Sequence, residues 1–120
     1  MPHLIIEYSN NVPNFDAETV LRECNQTLND SGQFEEIDIK SRAFPVDAFA
    51  VGVESAGRAF IALRLALLSG RSPEIKRDLS RRLMDSVTRN IRQTHGIEVQ
   101  ITVELQDMER DSFLKTFIKN

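Results

Sequence analysis

The sequence predicts an α/β chain of the α+β type. Two tandem β-α-β units join in one four-stranded mixed sheet, with both helices on one face. Three observations carry this. Ile97, Val99, Ile101, Val103 and Leu105 alternate with Glu98, Gln100, Thr102 and Glu104, the period of a half-buried strand. Two other stretches place apolar residues at helical spacing. The order strand, helix, strand occurs twice, with a linker between the two occurrences.

The first unit spans residues 2–44. Residues 3–8, from His3 to Tyr8, read as a short strand that Ser9-Asn10-Asn11 breaks. From about Asn14 to Asp30, the residues Ala17, Val20, Leu21, Cys24 and Leu28 form one helical stripe. Gly32 then supplies the left-handed residue that closes a helix. Residues 36–44 alternate, with Ile37, Ile39 and Ala43 on one face and Asp38, Lys40 and Arg42 on the other, which predicts a half-buried strand.

Residues 45–57 form the linker and residues 58–106 the second unit. Arg58 to Leu68 is almost wholly apolar between Gly57 and Gly70, the pattern of a central strand buried on both faces. Ser72 is a helix N-cap, Pro73 suits the first helical position, and Glu74 places an anion in the first turn. Ile75, Leu79, Leu83, Val87 and Ile91 continue as a stripe down a helix that ends before Gly96, with His95 at its C-terminus. The tail, residues 107–120, carries Phe113, Leu114, Phe117 and Ile118, so it is expected to dock, at home or on a neighbouring subunit.

A right-handed crossover makes the two strands of each unit parallel. With both helices on one face, the opposite face needs cover. It is expected to be largely apolar, so further copies of the chain are the natural cover.

A chain of 120 residues fits one domain, residues 1–120. A net charge of −3 gives no electrostatic footprint for nucleic acid. No apolar run approaches the ~20 residues that span a bilayer, so no membrane partner is expected. Met1-Pro2-His3-Leu4 lacks the basic and apolar regions of a signal peptide, and the one cysteine, Cys24, cannot form an internal disulfide. A cytoplasmic location follows as an expectation. No metal-ligand constellation and no phosphate loop is visible, so neither metal nor organic cofactor is expected. Cys24 reads as inert core, and Arg77, Arg81, Arg82, Arg89 and Arg92, interspersed with acids, read as a solvated helix surface.

Two motifs carry a resemblance. The chain opens Met1-Pro2-His3, runs into a strand ending Glu7-Tyr8-Ser9, and continues to Asn11. Its second unit carries Ser69-Gly70-Arg71-Ser72-Pro73-Glu74-Ile75-Lys76 between strand and helix. The opening resembles the 5-carboxymethyl-2-hydroxymuconate isomerases of the tautomerase superfamily, and this likeness extends over nearly the whole chain. The second motif resembles the segment after the first strand of 4-oxalocrotonate tautomerase and its relatives. The resemblance implies a homotrimeric, cofactor-independent isomerase of aromatic-compound catabolism, with the N-terminal proline as base and cationic side chains on the substrate's carboxylates. Carried over by position, the base falls on Pro2 and one substrate-binding arginine on Arg71. The family's Arg-Ser-Arg pattern on the second strand reads Lys40-Ser41-Arg42 here. Lys40 keeps the charge but loses the planar bidentate fork. A phenylpyruvate-type tautomerase, a hydratase or dehalogenase of a small unsaturated acid, and an inactive trimeric homologue remain as alternatives.

The chemistry suits these residues. Moving a double bond beside a carbonyl takes a proton from one atom and returns it to another, which needs a catalyst with a pKa near the working pH. An α-amino group titrates at about 7.7–8.0. Burial and neighbouring cations lower such an amine, and proline's ring aims its lone pair. The base requires loss of Met1, because with Met1 attached the Pro2 nitrogen is an amide. Arg71 precedes a helix N-terminus, where backbone N–H groups favour an anion, and reads either as a carboxylate clamp or as a solvated turn residue. Lys40 and Arg42, on one side of their strand, either bind anions and a developing dienolate or form a solvated, ion-paired face.

Overall fold

The computed structural model describes residues 1–54 and 56–120. Along the chain run β1 (His3–Ser9), α1 (Ala17–Asp30), β2 (Lys40–Val46), β3 (Arg58–Leu68), α2 (Pro73–Thr88) and β4 (Glu98–Met108). Single 3-10 turns occupy Glu36–Asp38 and Arg110–Ser112. The sheet order is β2-β1-β3-β4. β1 pairs parallel with β2, β3 parallel with β4, and β1 antiparallel with β3. This is the mixed sheet that two right-handed β-α-β units produce side by side.

Both helices cover one face: α1 packs on β2 and α2, and α2 on β4. Between helices and sheet lie Leu4, Ile6, Val20, Cys24, Leu28, Ile61, Leu65, Leu67, Leu79, Leu83 and Val87, each essentially inaccessible. Each such leucine contributes on the order of 1.5–3 kcal/mol by leaving water.

The helix starts follow local chemistry. Ser72 accepts the Ile75 N–H at 3.2 Å, with Pro73 as the first helical residue. For α1 the cap is Asp16, whose carboxylate takes the Thr19 hydroxyl at 2.8 Å. The helix therefore starts later than expected, and Asn14, with φ 53°, belongs to the turn before it. Gly32 closes α1 with φ 74°.

Several expectations need correction. Residues 36–38 form a 3-10 turn, so β2 begins at Lys40 and runs to Val46. Ile39 is buried as expected, but Ile37 swings out and is 63% exposed. α2 stops at Thr88, where the Asn90 side chain bonds the Ser86 carbonyl at 2.9 Å and the Asn90 N–H bonds Val87 O at 2.9 Å. Ile91 still packs on the core from beyond the helix, and His95 lies in a turn with φ 51°, not at a helix end. β3 is central but sealed on one face only, because both helices lie on that side.

The open face is also less apolar than expected. Its registered rows run Lys40, His3, Ala66, Gln106; then Arg42, Ile5, Arg64, Glu104; then Phe44, Glu7, Ala62, Thr102. Arg64 stands mid-sheet, 4.0 Å from both Glu7 and Glu104.

Candidate active site

The start of β1 sets the geometry. Pro2 is fully buried on the side of Leu4 and Ile6, and its carbonyl accepts the Lys40 N–H at 3.2 Å, opening the β1–β2 ladder. His3, next along, faces the other way and sits 3.4 Å from the Arg42 guanidinium. Strand alternation therefore separates Pro2 from His3.

Met1 lies over this point with its side chain 8% exposed. Its amino group donates to the Asp38 carbonyl at 3.4 Å and stands 3.9 Å from the Asp38 carboxylate. The Lys40 ammonium donates to the same carbonyl at 2.8 Å. From the tail, the Lys115 ammonium pairs with the Asp38 carboxylate. Three positive groups thus converge on one residue, held in place by the 3-10 turn and the buried Ile39 beside it.

A cleft of about 340 Å³ opens here. Met1, His3, Ile37, Asp38 and Lys40 line one side and Phe113 to Phe117 the other. Burial pushes the terminal amine below its ordinary value; Lys40, Lys115 and Arg71 push the same way, and Asp38 opposes them. The Lys115 hydrogen bond is the main cause holding the Asp38 carboxyl below the usual carboxylate range. Burial, then Arg42 and Lys40, lower the His3 imidazole.

The four residues singled out from sequence meet in different ways. Lys40 lines the cleft, whereas Pro2 is buried on the helix side, one residue behind the Met1 that lines it. Arg42 stands two residues further along β2, on the open face against His3. Arg71 does not line the cleft. Its Nε donates to Gln33 Oε1 at 3.1 Å, Nη1 to Leu68 O at 3.2 Å and Nη2 to Gln33 O at 2.8 Å, and the guanidinium lies 4.7 Å from the centre of the Phe34 ring. Three of five guanidinium N–H groups are thereby committed, leaving two. Burial, then Arg110, lower its pKa from the ordinary value.

Sequence reasoning missed Asp38, Lys115 and the aromatic wall. In sequence Asp38 has the pattern of a solvent-side strand residue, and the tail stands out only for its apolar content. The available signal was Lys115 itself, the one charged residue between Ser112 and Ile118. Among the described residues, no cluster of three or more His, Cys, Asp or Glu side chains that could hold a metal is found. No described helix is long and apolar enough to cross a membrane.

Paired β-α-β units with both helices on one face of a mixed sheet are the architecture of tautomerase-like structures. A family model, 5-carboxymethyl-2-hydroxymuconate isomerase, matches residues 2–119, and the chain belongs to that family of isomerases. It is similar to a 5-carboxymethyl-2-hydroxymuconate isomerase from Deinococcus radiodurans R1 at 25% identity and TM-score 0.89, over 96% of this chain and 88% of that one. A second solved structure, a 5-carboxymethyl-2-hydroxymuconate delta-isomerase, aligns at 22% identity and TM-score 0.73, over 98% and 88% of the two chains. A fused 4-OT symmetric trimer shares the fold at 17% identity and TM-score 0.73, over 92% and 89%. Comparison of the sequence with curated proteins gives no match.

Proposed function

We propose that this isomerase moves a proton within an unsaturated keto or hydroxy carboxylic acid of the 5-carboxymethyl-2-hydroxymuconate kind, with the Pro2 amine as general base. The observation that carries the reading is the setting of Pro2: fully buried, at a strand start, beneath an N-terminus at the edge of a cationic cleft. Once Met1 is removed, the Pro2 nitrogen becomes a secondary amine among the charges that now act on the Met1 amine.

The neutral amine takes a proton from the dienol. The electron pair it leaves spreads through the conjugated system as a dienolate, and the amine returns the proton to a carbon further along. No atom is gained or lost, and neither metal nor organic cofactor has a part. Lys40 and Arg42 bind carboxylate or stabilise the dienolate oxygen. Arg71 acts through its field on the amine, with two N–H groups left for an anion. The assembly proposed is a homotrimer. The fused 4-OT neighbour, described as a symmetric trimer, supports it, as do the exposed Phe44, Leu114, Phe117 and Ile118.

A second reading keeps the base and changes the substrate to a smaller acid of the phenylpyruvate or haloacrylate type. Lys40 favours it, because it stands where the family pattern has a forked arginine. The test is a ketonisation assay on 2-hydroxymuconate, followed by ultraviolet absorbance, on processed and Met1-retaining protein whose masses confirm each terminus. The processed form is expected to turn over and the Met1 form to be nearly inactive, because an amide nitrogen does not accept the proton. Equal rates would end the proline mechanism, and no turnover by either form would leave the inactive homologue.

A further inference from the structure

We propose that Lys115, delivered by the C-terminal segment, is a substrate-binding residue that takes one carboxylate of a dicarboxylate, with Lys40 taking the other. This rests on the cleft being the substrate site, and it adds a residue outside the two motifs that carry the resemblance.

The geometry supports it in three ways. First, the Lys40 and Lys115 ammoniums approach Asp38 at different atoms, one at its carbonyl oxygen and the other at its carboxylate. The cleft therefore has a cation on the strand wall and a second on the tail wall. Second, Phe113, Leu114 and Phe117 flank Lys115 and give the cleft an apolar side suited to a flat conjugated chain between two charged ends. Third, an ammonium has three N–H donors, and Asp38 occupies one of them. Lys115 can hold Asp38 and a substrate carboxylate together, so Asp38 orients the lysine without having to leave.

A plain strap is the competing role. In that case the ion pair only pins the tail, and loss of either partner has the same effect. Substrate binding separates the two. Asp38→Asn keeps an acceptor oxygen for Lys115 while removing a negative charge that repels a dianion.

The experiment measures calorimetric binding of muconate, which lacks the hydroxyl needed for ketonisation, and of sorbate, the same six-carbon diene with one carboxylate. Lys115→Ala is expected to weaken muconate about tenfold or more, the scale of a charge-assisted hydrogen bond, and sorbate much less. Lys115→Arg is expected to restore most of the loss, and Asp38→Asn to bind muconate as well as the unaltered protein or better. Equal losses in Lys115→Ala and Asp38→Asn, no loss in Lys115→Ala, or no muconate binding by the unaltered protein would each overturn the proposal. Because muconate is not turned over, these results are independent of whether Pro2 is the base.

Discussion

Arg71 grips Gln33 twice, at the side-chain oxygen and at the main-chain oxygen, and so ties the turn before α2 to the segment after α1. A residue expected from sequence to clamp substrate serves in the structure as a brace for the fold. Arg71→Ala should therefore cost stability as well as activity. Hydrogen bonds to a charged group contribute about 1.5–3 kcal/mol each when buried, and solvent screening at this half-buried site argues for the lower end in total. Denaturant titration should show that loss, and kinetics should show a larger loss with a dicarboxylate than with a neutral enol. Equal kinetic losses would leave Arg71 with the structural role alone.

Activity of the processed protein should rise with pH through the pKa of the Pro2 amine, because the base works deprotonated. The burial and the cations that lower the Met1 amine stand one residue from the Pro2 nitrogen, so on the proposed mechanism the midpoint is expected below that of the unfolded chain's terminus. Asp38 is the one neighbour that raises this amine. Asp38→Asn should accordingly move the midpoint of the kcat/KM profile to lower pH, and a shift the other way would mean that another group is titrating.

Cys24 sits on the buried stripe of α1, and burial pushes its thiol up to about 11. It should resist a thiol reagent at neutral pH and react fully once guanidinium unfolds the chain. The folded thiol keeps its proton where the unfolded one, with an ordinary value of 9.0, has begun to lose it. Its contribution is thus complete below pH 9 and declines as pH rises towards about 11. Urea titrations across that range, compared with Cys24→Ala, should show the extra decline only in the chain that keeps the thiol.

Light scattering at micromolar concentration should give three times the 13.7 kDa of one chain. Lys115 pairs with Asp38 of its own chain while Leu114, Phe117 and Ile118 stay exposed, so deleting residues 111–120 should abolish muconate binding and weaken the assembly. Dissociation on truncation would show that the tail also joins subunits.

Signals carried by neighbouring residues were the legible ones. The cap Ser72-Pro73-Glu74 and the alternation of β4 are set within a few positions, and the structure has them where expected. Ile37 and Ile39 alternate like a strand, yet one tight turn satisfies the same two letters, so the pattern did not separate them. The stripe through Ile91 continued past the end of α2 because a packed residue needs no helix to face the core. The open face read as apolar because Phe60, Ala62, Ala66 and Leu68 outnumber Arg64 on β3, while the polar residues that complete the rows come from other strands. Pro2, Lys40, Arg42 and Arg71 are candidates that motif and strand position single out. Asp38 is not among them, since its importance arises from a lysine 77 positions away.

The burial of Met1 bears on the order of events in the life of the chain. An aminopeptidase needs an extended terminus in its own cleft, and in the closed fold this one lies along the cleft with its amine hydrogen-bonded to Asp38. On the proposed mechanism, clipping is expected in the interval when the nascent chain has left the ribosome and β1 has not yet joined the sheet. A protein made faster than its peptidase can work would accumulate copies sealed by their own first residue. Treating the folded protein with the peptidase afterwards should rescue little, whereas unfolding it, clipping it and refolding it should rescue most.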